Sequence, residues 1–276
     1  MTDTEISPSK SKVHLYYKNG SLMPFEEDAY HEFKGHRDIS KEDCPPWTQD
    51  RRSCDRPSRR AVSRALNAFL NTGRGGTCYL GVVDSGEVKG LKLTEYQKDH
   101  VVSSLDDLMS RYTPPVKQHR YKIRFVPVVD QDATEEEIIQ HCSQVNSDLS
   151  VIEERQRPHQ LRSHTYCWCD RDSVAQFNCG VLPTDYVIEI TIKPWDGSDP
   201  RNHDDGCGSF VCLHPYHEDE EGCVYFRRQA SLVKYTMTEI AMLTKQEARE
   251  NCEATIKSLR EEISLLKVAQ QKAGDG

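Results

Sequence analysis

An α+β fold is predicted from three observations. Apolar–polar alternation over "YKIRFVPVV" and a strand signal over "YVIEITIKPW" mark two strands. Val62, Ala65, Leu66, Phe69 and Leu70 form one apolar stripe at helical spacing. A further helix with its own capping signal closes the chain.

Residues 1–12 are polar and are expected to be disordered. "VHLYYKNG" reads as a short strand ending in a turn, and "YHEFKGH" as another. Residues 36–56, charged and broken by a Pro-Pro pair, read as a loop. In "DRPSRRAVSRALNAFLNTGRGG", Asp55 is the expected N-cap, Pro57 suits the first turn, and Asn71-Thr72-Gly73 ends the helix. "TCYLGVVDSGEVKGL" reads as a hairpin turning at Asp84-Ser85-Gly86. Thr94 with Gln97 predicts a capping box for a helix to about Ser110, stopped by Pro114-Pro115. Residues 130–163 lack periodicity and read mostly as an inserted loop. "CVYFRRQAS" is the last expected strand, and Thr236 with Glu239 caps the closing helix. In that helix Cys252, Ile256, Leu259, Ile263 and Leu266 recur in steps of four and three, a short heptad seam. A coiled coil and a face packed on the chain's own domain both suit it. The expected organisation is one domain over 13–240 followed by a helix over 241–276.

The chain has 276 residues, 36% hydrophobic, a mean hydropathy of -0.73 and a net charge of -8. Such a chain does not attract nucleic acid as a whole, so an anionic ligand needs a local basic patch. No run approaches the length of a membrane span, and the N-terminus has no apolar signal core. The expected location is intracellular, most simply cytoplasmic. The 11 cysteines then argue for free thiols or zinc rather than a disulfide framework.

Three glutamates, Glu26, Glu27 and Glu32, crowd "PFEEDAYHEFKGH". Residues five apart point to opposite faces of a strand, so Glu27 and Glu32 meet only if the chain turns and a third group joins them. Otherwise they are a solvated acidic face. Arg51, Arg52, Arg56, Arg59, Arg60 and Arg64 form the densest cationic run, set against one Asp. Arg227 and Arg228 end the last strand, and Arg74 lies in the Gly-rich turn. These are candidate RNA-backbone contacts, which fix position rather than read sequence.

"EEDAYHEFK", "SRALNAFLNTGRGGTCYLGVVDSGEVKGL" and "GCVYFRRQAS" line up in order and together resemble the AlbA_2 domain of the Schlafen family. The resemblance covers roughly 13–127 and 184–240. It implies a single lobe built on a mixed sheet with flanking helices. It also implies a metal-dependent RNA endonuclease of tRNA-like or small-RNA (including piRNA) precursors. The family's catalytic triad falls on Glu27, Glu32 and Asp84, with Lys34 beside them as a candidate phosphate contact. Mg²⁺ or Mn²⁺ is the implied ion, because hard cations take oxygen ligands and activate water. Paired lobes in the family imply a second copy or a related subunit as partner. The family's structural zinc implies a counterpart here, for which Cys167, Cys169, Cys207 and Cys212 are the candidate ligands. Asp196-Gly197 stand where the family carries a Cys-Cys pair. The alternative function is a nucleic-acid-binding or scaffolding subunit without catalysis.

Overall fold

The computed structural model describes residues 16–48, 59–144, 157–180, 184–203 and 212–274. The expected disorder over 1–12 and the Asp55 and Pro57 helix start lie outside those residues. In chain order the first half contains β1 (Tyr17–Lys18), β2 (His31–Lys34), α1 (Val62–Thr72), β3 (Gly76–Leu80), β4 (Leu91–Leu93) and α2 (Glu95–Arg111). The second half contains β5 (Tyr121–Val129), α3 (Glu135–Gln144), α4 (Trp168–Asn178), β6 (Thr184–Ile192), β7 (Val224–Arg228), β8 (Ser231–Tyr235) and α5 (Met237–Gly274). The fold is α+β.

Strand β6 organises a six-stranded mixed sheet. One edge pairs antiparallel with β5, Tyr121 opposite Ile192 and Pro127 opposite Tyr186. The other edge is shared, β3 taking Ile188 to Ile192 and β4 taking Thr184 to Tyr186. Between β3 and β4 the chain leaves the sheet as a small hairpin, with Val82 bridged to Val88 and a turn closed from Gly86 N–H to the Val83 carbonyl. Strand β2 adds parallel to β3, and β1 parallel to β5. Strand β2 is therefore an edge.

Side chains alternate across the sheet. Cys78, Leu80, Ile188, Ile190 and Ile192 face the main core with Leu66, Phe69 and Leu70 of α1 and Val101, Leu105 and Leu108 of α2. Tyr79 and Val187 face the other side, with Met23, Phe33, Val82, Val88 and Val128. Each fully buried aliphatic side chain contributes about 1.5–3 kcal/mol, so truncating Leu66, which is 0% exposed, costs about 2–5 kcal/mol. Gly73 ends α1 at φ 74°, left-handed backbone that glycine adopts without strain. At Gly75 a Cβ would overlap the Ile192 carbonyl oxygen. The Gly-rich turn thus lets α1 run straight into β3 against β6.

Both capping boxes form as expected: Thr94 accepts from Gln97 N–H, and Thr236 from Glu239 N–H at 3.3 Å. Three expectations change. Within the segment read as an inserted loop, Glu135–Gln144 is helical. Helix α4, starting just beyond that segment, and strand β8 had no periodic signal. The closing helix starts at Met237, and only its first turns pack on the domain, through Ile240 and Leu243. Ile256, Leu259, Ile263 and Leu266 are about half exposed (48–58%), so among the described residues the heptad seam does not pack on its own domain. No described helix is long and apolar enough to cross a membrane.

Candidate active site

The turn that the acids require is made by Asp28. Its Oδ1 accepts from Tyr30 N–H at 2.7 Å and His31 N–H at 2.8 Å, folding the chain back just before β2. Glu27 then lies beside the open edge of β2, where its Oε1 accepts from Phe33 N–H at 2.8 Å. Glu32 and Lys34 are two residues apart on β2 and share one face, opposite Cys78 and Leu80 of β3. They form an ion pair there.

Arg227 closes the other side of Glu32. Its side chain is 0% exposed and pairs with Glu32. Its Nε donates to the Asp28 carbonyl at 2.8 Å and its Nη2 to the His31 carbonyl at 2.9 Å. The guanidinium also lies over the Phe69 ring, 5.4 Å from the centroid. Arg227, expected as an RNA contact, has every donor nitrogen engaged inside the protein. Arg227 instead fixes the turn, β2 and Glu32 to α1 and the β7–β8 hairpin. No local sequence signal separates it from the exposed Arg228 next to it.

Asp84 completes the site from the small hairpin after β3 and is exposed. One open cleft of about 870 Å³ is lined by Glu27, Glu32, Lys34, His36, Asp84, Arg59 and Arg60, with the Ala230–Leu232 turn as a wall. The structure therefore brings all three expected acids and Lys34 to one cleft. Burial, then the neighbouring Glu32 charge, push the Glu27 carboxyl above its ordinary range. Burial, with Arg59 and Lys34 adding to it, lowers His36 to about 4, so this cleft imidazole is neutral near pH 7. His36 was not singled out from the sequence.

The oxygen donors suit a hard divalent cation. Among the described residues Glu27 and Asp84 have no ion-pair partner, whereas both oxygens of Glu32 face cations, Lys34 and Arg227. Among the described residues, the three acids are also not drawn within 4.8 Å of one another. Glu27 and Asp84 thus fit an ion better than Glu32 does.

The basic residues divide. Arg59 and Arg60 line the cleft and are exposed, Arg59 at 3.5 Å from Asp38. Arg64 does not line it, and pairs with Glu221 at 3.3 Å. Arg228 is exposed beside the wall turn, donating to Tyr235 Oη at 3.1 Å. Arg74 is exposed on a different concavity, with Trp195 and His214. Arg51, Arg52 and Arg56 lie outside the described residues.

The cysteine expectation also changes. Cys167 and Cys169 meet His100 and His159, not Cys212. Cys212 lies elsewhere, its thiol 3.7 Å from the Asn202 carbonyl, and Cys207 is outside the described residues. His164 is exposed on another surface.

A family model for Schlafen, AlbA_2 matches residues 27–236, from Glu27 of the cleft through the β7–β8 hairpin that supplies Arg227. A match over that much of the chain, spanning all three acids and the arginine that holds one of them, makes this protein a member of the Schlafen AlbA_2 family.

Proposed function

We propose that the chain is a metal-dependent RNA endonuclease, or one subunit of such an enzyme, acting on tRNA-like or small-RNA precursors. The observation that carries this reading is one cleft in which Glu27, Glu32, Asp84 and Lys34 meet the exposed Arg59 and Arg60. Family membership supports it, since the family includes nuclease-like members. Within the family, the lobe followed by a helix looks most like Schlafen-like protein 1.

Glu27 and Asp84 would hold Mg²⁺ or Mn²⁺, with Glu32 behind them. When bound, such an ion supplies an activated water and neutralises phosphate charge. The chain's own residues do the rest. Arg59, Arg60 and Arg228 offer the RNA backbone a cationic rim and would fix its register rather than its sequence. Lys34 holds Glu32 in place and puts a point charge beside the cleft. Arg227 keeps the Glu27–Glu32 turn rigid. Helix α5, about half exposed along its heptad seam, gives a second copy of the chain a place to pair.

A second reading is a nucleic-acid-binding or scaffolding subunit without catalysis. The double cation pairing of Glu32 favours it, because that carboxylate is already balanced without a metal.

The test is incubation of the purified protein with tRNA and with short single-stranded RNA, in Mn²⁺ or EDTA. Cleavage that needs Mn²⁺ and falls about 100-fold or more in Asp84→Ala supports the enzyme, since a metal ligand is worth several kcal/mol in the transition state. Asp84 is the informative position because it is exposed, so its loss leaves the fold intact. RNA bound but uncut by the unsubstituted protein, in Mg²⁺ and in Mn²⁺, selects the second reading.

A further inference from the structure

A four-residue cluster beside α2 lines no part of the cleft. His100 comes from α2, His159 from the segment before α4, and Cys167 and Cys169 from the start of α4. Their ligand atoms all lie within 4.8 Å of one another. Cys169 Sγ is 3.6 Å from His100 Nδ1, and Cys167 Sγ is 3.7 Å from His159 Nδ1. A tetrahedral ion with ordinary zinc–sulfur and zinc–nitrogen bonds sets its sulfur–nitrogen edges at about 3.5 Å. The two pairs already have that spacing.

The surroundings point the same way. His159 turns its other ring nitrogen, Nε2, to Asp99 Oδ2 at 3.1 Å. A carboxylate on the outer nitrogen is the usual support of a metal-bound imidazole, fixing its tautomer and ring direction. Trp168 stacks on the same ring, with centroids 5.0 Å apart. Gln160 N–H donates to Cys167 Sγ at 3.2 Å, which fixes the direction of that sulfur. Both sulfurs are buried, Cys169 at 0% and Cys167 at 1% exposure, so they are closed to substrates as nucleophiles. Both also lie at the positive end of an 11-residue helix.

We propose that His100, His159, Cys167 and Cys169 hold a structural zinc ion. Two sulfurs and two nitrogens in a closed tetrahedron select zinc over hard cations and leave no open position for catalysis. Binding releases the two thiol protons. The ion pins α4 and the segment before it to α2. It is a different site from the cysteine set expected from the family, whose second pair would follow β6 where Asp196-Gly197 stand. From α4, Asp170 accepts from Gln97 Nε2 at 2.8 Å and pairs with Arg37, three residues beyond Lys34. The site therefore also braces the chain leaving the cleft, yet the proposal does not depend on what the cleft does.

The experiment is metal analysis of the full chain expressed with zinc, followed by cobalt exchange. The expected result is about one zinc per chain, lost in the double variant Cys167→Ser/Cys169→Ser and kept in Cys207→Ser/Cys212→Ser. Cobalt in the unsubstituted protein then gives the intense visible bands of a tetrahedral site and a thiolate-to-cobalt charge-transfer band. That spectrum decides the matter even if the double variant fails to fold. A chain that holds no zinc and gives only the pale spectrum of six-coordinate cobalt overturns the proposal. So does zinc retained without Cys167 and Cys169.

Discussion

The acidic cleft and the His–Cys cluster hold their polar groups in opposite ways. At the cleft, charge answers charge: Glu32 is buried between Lys34 and Arg227, while Glu27 and Asp84 carry no ion pair among the described residues. At the cluster two imidazoles and two cysteine sulfurs converge within 4.8 Å of one another, organised by burial, stacking and one outer carboxylate. The cleft is open and its acids stand apart; the cluster is closed and its ligands converge. Converging ligands suit an ion held in a closed shell, whereas separated acids in an open cleft leave room for a larger ligand between them.

Breaking the charge balance gives the largest effect. Arg227→Ala leaves Glu32 buried beside only one cation and costs about 3–5 kcal/mol, read from chemical denaturation. Arg228→Ala, one residue on and exposed, stays within about 0.5 kcal/mol in the same assay. Equal costs for the two would show that Arg227 is not the keystone of the cleft.

Acid comes next. His36, His214 and His217 each have their pKa lowered from 6.5 to about 4, chiefly by burial. Below pH 6.5 the unfolded chain takes up protons that the folded chain refuses, so stability falls as pH drops toward 4. The expected loss between pH 6 and 5 is about 1–3 kcal/mol by urea midpoints, and His217→Gln flattens the slope.

A smaller effect sharpens the contrast at Glu27. Its pKa is raised in the fold, so its contribution is present below the ordinary carboxylate range and is lost as pH rises through the raised value. Glu27→Gln should therefore stabilise the metal-free protein at pH 7 by under about 1 kcal/mol and change nothing at low pH. Destabilisation at pH 7 would mean that the negative charge itself supports β2.

The smallest effect on the fold is on α5. Leu259→Glu keeps monomer stability within about 0.5 kcal/mol, because the side chain is 52% exposed. If a second copy pairs there, sedimentation shows the self-association weakening; an unchanged mass removes α5 as the pairing surface.

What could be read from the sequence follows from range. Strand β5 and both capping boxes depend on neighbours within four residues, and each is legible. The Asp28 turn was legible only as a requirement. The burial of Arg227 was not, since Arg227 and Arg228 have the same chemistry and only packing across 195 residues tells them apart. The His–Cys cluster hid for the same reason. Its Cys-x-Cys was visible, yet His100 sits in the middle of α2, and nothing local marks it as a partner. Helix α4 lacks a strong apolar stripe, because Cys169 is its one buried residue.

The span from Glu32 to Arg227 also sets an order of assembly. A ribosome adding about 5–20 residues per second delivers Arg227 roughly 10–40 s after Glu32. For that interval β2 and β3 can pair while their acidic edge waits for its cation. The cleft is finished by the last hairpin to emerge. A product terminated before Val224 is accordingly a chain whose central carboxylate is left with Lys34 alone, rather than a shorter version of the same protein.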